Sequence, residues 1–307
     1  MAQSPHQSID QNRAVVQPLL LPEFAAAGIR ADILRLDLIH PVISGNKWFK
    51  LKYHLKAAVD GGYKGLLTFG GAWSNHLVAT AGAAAAASLT AVGVVRGEIP
   101  AVLSPALQDV ADSGMQLVFV SRNEYAGEET LHRSMQERFP QYYLVPQGGQ
   151  SGAGVQGAGE ILSLVQEPQQ YTHIACAAGT GTMMAGLAVA SNPQQQVLGI
   201  SSLKLGNTEY NSLETMLQAW APHPNYRLFY QFHFGGYARK TTLLTDFMNR
   251  VWQQTGIPTD IVYTSKLLYG ISALAIENFF PTQSRLLLIH SGGLQGNRFL
   301  PPGTLLY

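Results

Sequence analysis

Short apolar runs alternate with longer amphipathic stretches along most of this 307-residue chain. Apolar runs of about four to eight residues are typical of buried strands, whereas apolar positions that recur every three or four residues predict helices. The pattern predicts an extended segment over residues 33–43 and strands over 65–69, 90–95, 115–120, 173–178, 196–202, 227–234 and 285–290. It predicts helices over 47–58, 75–87, 101–112, 128–139, 155–166, 241–255 and 265–280. Strands that alternate with helices favour doubly wound, mainly parallel sheets.

A Gly-rich stretch, residues 146–152, interrupts the alternation and is expected to connect two lobes. We therefore predict an α/β protein in which residues 1–49 and 158–307 form a larger lobe and residues 50–157 form a smaller, mobile one. Apolar residues make up 46% of the chain and charged residues 13%, so most of it should be packed. Residues 1–13 are polar and are predicted to be a loose arm.

Charge and cysteine content exclude several classes of partner. The net charge is +1 without a basic stripe, so no nucleic-acid partner is expected. The single cysteine, Cys176, excludes an intrachain disulfide framework and fits a reducing compartment, the cytoplasm. The start of the chain lacks the apolar core of a signal peptide, and the uncharged run 78–95 divides into a helix and a strand, so no membrane association is expected. No cluster of His, Cys, Asp and Glu has metal-ligand spacing, so no metal is expected.

Candidate chemistry begins with Ser-Gly-Asn-Lys-Trp-Phe-Lys-Leu-Lys at residues 44–52. Lys47 stands where an extended segment turns into a helix, so its amine can be held in a cleft. Burial would lower its pKa and let it form a Schiff base with an aldehyde cofactor. The alternative is that Lys47, Lys50, Lys52 and Lys56 form the solvated face of an amphipathic helix, which is the usual environment of lysine.

Two of the loops that follow predicted strands contain candidate ligand groups, because ligands bind beyond the carboxyl ends of parallel strands. Residues 70–76 include Ser74, Asn75 and His76, which either cap the next helix or bind a ligand. Residues 178–182 place backbone N–H groups and hydroxyls at a helix N-terminus, which is an anion site best suited to phosphate. This second loop lacks the further residues of the Rossmann and P-loop signatures.

Two more loops carry hydroxyl groups next to glycine. Tyr237 follows Gly235-Gly236, and Tyr263 precedes a predicted helix; both are either packing residues or ligands for a proton or a carboxylate. Ser291 follows the last strong strand and precedes Gly292-Gly293, where the alternatives are a tight turn and a contact with a pyridine nitrogen.

In this order along the chain, these pieces resemble the pyridoxal-phosphate (PLP)-dependent family of 1-aminocyclopropane-1-carboxylate (ACC) deaminase and D-cysteine desulfhydrase. The resemblance runs from about residue 33 to residue 296. It rests on Gly-Asn-Lys at 45–47, Ser-Asn-His at 74–76, the Gly-Thr loop at 179–182, tyrosines at 237 and 263, and Gly-Gly at 292–293. It implies the tryptophan-synthase-β-like fold of PLP enzymes (fold type II), PLP as cofactor, a small amino acid as substrate and a homodimer.

The resemblance also implies individual roles. Lys47 would bind the cofactor aldehyde and shuttle the α-proton of the substrate, and Asn75 would bind the ring oxygen. Ser291 would stand opposite the pyridine nitrogen. The phosphate would be held by Gly179, Thr180, Gly181 and Thr182. The residues implied to face the substrate are Ser74, Asn75, His76, Tyr237 and Tyr263.

The reaction implied first is β-elimination from a small amino acid such as D-cysteine, giving pyruvate, ammonia and sulfide. This reaction is favoured by His76, Thr264 and Ser291. ACC deaminases typically have Gln, Glu and Leu, respectively, at the corresponding positions. Val78 departs from the basic residue of desulfhydrases, so another substrate stays open. The alternatives are ring-opening deamination of ACC, which would make the enzyme a hydrolase as well as a lyase, and a non-catalytic PLP-holding protein.

Overall fold

The computed structural model describes residues 9–222 and 225–307, which form two lobes. The strands are β1 Val16–Pro18, β2 Arg30–Arg35, β3 Gly65–Gly70, β4 Thr90–Arg96, β5 Gln116–Val120, β6 Tyr142–Val145, β7 His173–Ala178, β8 Gln196–Ser201, β9 Tyr226–Phe229 and β10 Arg285–His290. The α-helices are α1 Pro22–Ala26, α2 Asn46–Asp60, α3 Asn75–Ala86, α4 Pro105–Asp112, α5 Arg122–Ala126, α6 Glu128–Arg138, α7 Gly152–Gly159, α8 Thr182–Ala190, α9 Asn207–Trp220, α10 Thr242–Thr255 and α11 Thr264–Ile276. Short 3-10 helices cover Gln11–Arg13, Leu36–Leu38, Gln147–Gly149, Glu160–Leu164, Pro168–Gln170 and Leu294–Phe299.

Two separate sheets form the centres of the lobes. The larger has the strand order β1-β2-β10-β7-β8-β9 and the smaller the order β5-β4-β3-β6. Among these strands only β1 and β2 pair antiparallel. The predicted α/β architecture of mainly parallel sheets in two lobes is therefore confirmed, while lobe boundaries at 49/50 and 157/158 stay a prediction.

Strand order explains which loops meet. In the larger sheet β10 lies between β2 and β7, so the loops that follow these three strands are neighbours. In the smaller sheet β3 lies between β4 and β6, which brings their following loops together in the same way. Parallel strands all direct their carboxyl ends to one edge, so each sheet offers one cluster of loops.

Helix α2 packs against α7 at unusually short range. A Cβ on Gly157 of α7 would lie 1.8 Å from the backbone oxygen of Phe49 in α2. On the other side of α7, a Cβ on Gly186 of α8 would lie 2.5 Å from the backbone oxygen of Val155. Because glycine has no side chain at these points, three helix backbones pack in direct contact and fix the position of α2.

Several element boundaries differ from the sequence prediction. The extended segment predicted over 33–43 is a strand only to Arg35, after which Leu36–Leu38 turns as a 3-10 helix. The helix predicted from 101 begins at Pro105, where Ser104 provides the N-cap. The strand predicted over 227–234 ends at Phe229. Of the predicted arm 1–13, residues 1–8 lie outside the described residues, and Gln11–Arg13 form one 3-10 turn.

The prediction of one helix over 155–166 was also wrong, because α7 spans Gly152–Gly159 and a 3-10 helix follows it. No helix was predicted over α9, although Leu213, Met216, Leu217 and Trp220 recur at helical spacing and pack on the core of the larger lobe. This signal was available in the sequence and was overlooked. The short elements α1, α5, β1 and β6, which are five, five, three and four residues long, were not predicted either.

The contact between α2 and α7 predicts a sharp difference between two glycines of one helix. Gly157→Ala should destabilise the fold by about 1–3 kcal/mol, because the new methyl group meets a backbone oxygen that cannot move aside. Gly152→Ala is the matched control, since a Cβ there would have no neighbour within 4 Å. Urea unfolding followed by circular dichroism measures both, and equal free energies of unfolding would contradict the packing described above.

Candidate functional site

A cavity of about 600 Å³ lies where the loop clusters of the two sheets meet. Its wall combines the start of α2 with loops that follow strands of both lobes. The predicted site residues that line it are Lys47, Ser74, Asn75, His76, Gly179, Thr180, Gly181, Tyr237, Tyr263 and Ser291. Thr182 is fully buried behind this wall, with its hydroxyl 3.0 Å from that of Thr180. The chain thus brings together groups that are up to 244 residues apart in sequence.

Lys47 is the second residue of α2, whose N-cap is Gly45. Its amine donates a 2.9 Å hydrogen bond to Oδ1 of Asn46 and lies 5.7 Å from the ring centre of Tyr263. Burial lowers the pKa of Lys47 to about 8, and the nearby carboxylate of Asp260 opposes part of that shift. A larger fraction of this amine is therefore neutral at physiological pH than of an exposed lysine, which is what a nucleophile or base requires.

Lys50 is a second buried amine on the same wall, and the sequence analysis missed it. It follows Lys47 by one helical turn and is 5% exposed. Burial, and then the charge of Lys47, hold the pKa of Lys50 well below its ordinary value. The solvated-face alternative is wrong for Lys50 but correct for Lys56, which is exposed and pairs with Asp60. The three-residue spacing of Lys47 and Lys50 was the available sequence signal.

The Gly-Thr loop forms the N-terminus of α8. Gly181 is its N-cap in the left-handed conformation with φ of +75°, which leaves the first N–H groups of the helix without side-chain caps. A Cβ on Gly181 would lie 2.6 Å from Leu213, so α9 packs closely over the loop. The loop therefore has the backbone donors and the rigid support that an anion site requires.

The loop that follows β3 supplies the small-lobe side of the cavity. The hydroxyl oxygen of Ser74 accepts a 3.2 Å hydrogen bond from the N–H of Leu77, so Ser74 caps α3 while its own proton stays available to a ligand. Asn75 is buried, and a Cβ on Gly293 would lie 2.6 Å from its amide nitrogen, so the two lobes are in contact here. The capping alternative thus holds for Ser74 without excluding a ligand.

His76 is buried, and burial keeps its pKa well below the ordinary value, so the imidazole is neutral. The hydroxyl of Thr68 donates to the backbone oxygen of Val145 and lies 2.9 Å from Nε2 of His76. Nε2 is therefore the protonated nitrogen and Nδ1 is an acceptor, for which the described residues provide no hydrogen-bond partner.

Tyr237 and Tyr263 pack edge to face, with ring centres 6.2 Å apart. The hydroxyl of Tyr237 donates a 3.2 Å hydrogen bond to the backbone oxygen of Trp73 in the smaller lobe. Desolvation of the hydroxyl raises the pKa of Tyr237 to about 12, although the residue as a whole is 41% exposed. Burial raises the pKa of Tyr263 well above its ordinary value, and Asp260 adds to both effects. Both phenols are neutral at physiological pH, so they are suited to donate hydrogen bonds rather than to remove protons.

Two buried charges that the sequence analysis did not identify support these tyrosines. Asp260 accepts hydrogen bonds from the N–H groups of Val262, Tyr263 and Thr264, and so caps α11. Lys266 is fully buried and donates to the backbone oxygens of Ser202 and Gly236, next to Tyr237. Neither had a sequence signal, because a buried charge looks like an exposed one until its neighbours are known.

Ser291 lies in the turn that follows β10. Its backbone oxygen accepts a 3.2 Å hydrogen bond from the N–H of Asn46, and a Cβ on Gly45 would overlap that oxygen at 1.8 Å. Beneath the turn, the ring of His290 lies 3.3 Å from Asp37, which also binds Arg35. The turn and the start of α2 therefore position each other.

The described residues include neither a metal-binding cluster nor a membrane-spanning helix. Within 9–222 and 225–307, no group of three or more His, Cys, Asp or Glu is arranged to hold a metal ion. Over the same ranges, no helix is long and apolar enough to cross a membrane. The ligand groups of the cavity are amines, guanidinium groups, an imidazole, hydroxyls, amides and backbone N–H groups.

Comparison with known proteins gives related sequences and structures. A protein of Pyrococcus horikoshii named as a putative 1-aminocyclopropane-1-carboxylate deaminase is 29% identical over 285 residues, with 88% of this chain and 86% of the relative covered. A mitochondrial protein of Arabidopsis thaliana, named as a bifunctional D-cysteine desulfhydrase/1-aminocyclopropane-1-carboxylate deaminase, is 28% identical, with 88% of this chain and 73% of the relative covered.

A crystal structure described as an ACC deaminase homologue superposes with a TM-score of 0.78 at 26% identity, covering 93% of this chain and 90% of the other. This agreement confirms the predicted fold of PLP enzymes. The family model described as pyridoxal-phosphate dependent enzyme matches residues 17–292. The chain, with its two lobes and a lysine-lined cavity between them, belongs to the pyridoxal-phosphate-dependent enzyme family.

Proposed function

We propose that this chain is a lyase that eliminates the β-substituent of a small amino acid, with D-cysteine as the simplest substrate. In sum, D-cysteine and water give pyruvate, ammonia and hydrogen sulfide. The observation that carries the proposal is the pair of desolvated lysines, Lys47 and Lys50, which line the same cavity as the Gly-Thr loop. One amine can react with an aldehyde while the other stays close to an anion.

The residues of the cavity fit PLP. A dianionic phosphate needs several donors and a positive potential, and the N-terminus of α8, Thr180 and the buried Lys50 together provide them. Lys47 fits the aldehyde, because its pKa of about 8 leaves a substantial neutral fraction. Ser291 offers the pyridine nitrogen a neutral hydroxyl rather than a carboxylate.

When bound, PLP withdraws electrons from the α-carbon of the amino acid and so makes the α-proton removable. The protein's own groups then do the remaining work. Nζ of Lys47 takes the α-proton, since its amine is largely desolvated. The neutral phenols of Tyr237 and Tyr263 and the hydroxyl of Ser74 hold the carboxylate or donate a proton to the leaving group. The hydrogen bond from Tyr237 to Trp73 joins the two lobes at the cavity.

A hydroxyl at Ser291, rather than a carboxylate, favours elimination over ring opening. A hydroxyl strengthens the electron withdrawal of the pyridine less than a carboxylate does, and the loss of a good leaving group needs less of it. Elimination makes the enzyme a lyase, so the expectation that it is also a hydrolase was wrong. ACC ring opening remains the second candidate, because relatives with that name match most of the chain.

We further propose that the enzyme acts in the cytoplasm as a homodimer. The single, fully buried cysteine supports a reducing compartment. The dimer rests on the family resemblance alone, and light scattering would test it.

Lys47 should be the residue that carries the cofactor. Borohydride treatment of the PLP-loaded protein should fix a pyridoxyl group on Lys47, because the half-buried Lys47 is more open to the cavity than Lys50, which is 5% exposed. Peptide mass mapping locates the adduct. Lys47→Ala should keep some PLP affinity through the phosphate contacts but lose turnover. An adduct on Lys50 would show that the two amines have the opposite roles.

Phosphate binding should depend on both Lys50 and the Gly-Thr loop. We expect Lys50→Met to weaken PLP binding by about 2–3 kcal/mol, because a charged hydrogen bond is lost. Thr180→Ala or Thr182→Ala should each cost about 1–2 kcal/mol. Equilibrium dialysis measures the affinities. Lys56→Met, on the solvated face of the same helix, is the matched control and should bind PLP as the wild type does. Unchanged affinity in all three test variants would place the phosphate elsewhere.

Substrate choice separates the two enzyme candidates. The wild type should release pyruvate and sulfide from D-cysteine and little 2-oxobutanoate from ACC, since Ser291 provides a weak partner for the ring nitrogen. Keto-acid assays over D- and L-amino acids measure both products. The unmodified protein is the right material, because Thr264→Glu would bury a second carboxylate beside Asp260. Faster turnover of ACC than of every β-substituted alanine would overturn the choice of elimination.

A further inference from the structure

Two arginines of the smaller lobe stand at the mouth of the cavity. Arg96 ends β4 and Arg122 begins α5, and both line the cavity while remaining exposed to solvent. Within the described part of the chain neither forms an ion pair with a carboxylate. Arg96 lies 5.8 Å from the ring centre of Tyr125, whose hydroxyl donates to Gln147. Its guanidinium is thus oriented by the protein without being neutralised.

The cavity wall has basic side chains but no acidic ones in the described part of the chain. Its described lining includes four basic side chains, Lys47, Lys50, Arg96 and Arg122, and no Asp or Glu. The acid nearest in sequence to Arg122, Glu124, is engaged with the backbone N–H of Ser121. The two lysines are accounted for by the aldehyde and phosphate of the cofactor under the proposed function. The two arginines remain as surplus positive charge at the mouth.

Two tyrosine rings lie between Arg96 and the reacting centre. Nζ of Lys47 lies 5.7 Å from the ring centre of Tyr263, and the rings of Tyr263 and Tyr237 are 6.2 Å apart. Arg96 is near enough to Tyr237 for its charge to act on the phenol, where it opposes the larger effects of burial and of Asp260 on the pKa. An amino acid held at Lys47 therefore has its β-substituent within one side chain's reach of the cavity mouth.

We propose that Arg96 and Arg122 bind a second anionic group at the far end of the substrate's β-substituent. The preferred substrates are then β-substituted alanines whose substituent ends in a carboxylate, sulfonate or phosphate, and D-cysteine is a truncated member of the class. The inference rests on the proposed function for the chemistry. That chemistry is unchanged: the α-proton leaves to Lys47, the bond from Cβ to the substituent breaks with its electron pair on the substituent, and water completes the release of pyruvate and ammonia.

A pair of ligands that differ only in charge tests the proposal. S-carboxymethylcysteine carries the second anion, and S-carbamoylmethylcysteine replaces it with a neutral amide of nearly the same shape. In both enantiomers, calorimetric affinity for the PLP-loaded protein and kcat/KM for pyruvate release are measured. We expect the affinity and kcat/KM to be about 3- to 10-fold higher for the carboxymethyl compound, because two partly solvated ion pairs contribute about this much binding free energy. The preference should fall in about 0.5 M salt because the pairs are screened.

Three variants test whether the preference comes from Arg96 and Arg122 themselves or from the total positive charge of the smaller lobe. Arg96→Gln and Arg122→Gln should each remove most of the preference while leaving the affinity for the carbamoylmethyl compound within about twofold of wild type. Arg133→Gln, on the exposed face of α6, removes one charge from the same lobe and should keep the preference.

Equal losses for both ligands in the Arg96 and Arg122 variants would overturn the proposal, because the arginines would then hold the α-carboxylate that both share. Absence of any preference in the wild type would overturn it as well. Failure of the proposed function has a different signature, since no pyruvate would then form from either compound or from D-cysteine. The calorimetric preference would in that case still decide whether the two arginines select an anion.

Discussion

The burial of two lysines on one turn of α2 is the constraint on which the rest of this structure depends. An ammonium group taken out of water must either lose its proton or be offered an anion. Burial brings the pKa of Lys47 down to about 8, which eases the loss of its proton, and Lys50, whose pKa is held well below its ordinary value, lies where an anion can restore its charge. Both require α2 to stay in place, and the direct contact between Gly157 and the backbone of Phe49 provides this.

Much of the fold followed from the sequence, because the central strands of both sheets are buried on two faces and so appear as continuous apolar runs. β3, β4, β7 and β10 were predicted within one residue at each end. The edge elements did not follow. β1 is only three residues long and pairs on one side only, so no local pattern marks it. In α9 the helical spacing of Leu213, Met216, Leu217 and Trp220 was present in the sequence and was overlooked.

Some residues of the candidate site could likewise be predicted from local sequence, and others could not. Lys47, Ser74, Asn75 and the Gly-Thr loop stand next to glycines or at helix starts, where local sequence limits what the backbone can do. Lys50 and Lys266 differ from surface lysines only in what tertiary packing places around them. Lys266 donates to a residue 64 positions away, Ser202, and such a partner is fixed by the crossing of elements rather than by spacing. No local pattern reports it.

The only thiol of the chain lies in β7, directly below the Gly-Thr loop. Cys176 has no exposed surface, and burial raises its pKa to about 12, so almost no thiolate exists at neutral pH. A protein that releases sulfide would therefore be protected from forming mixed disulfides or persulfides on itself. It also contains a built-in reporter: any thiol reagent that labels Cys176 has entered the core of the larger lobe. The rate of labelling thus measures how often the floor of the cofactor cavity opens.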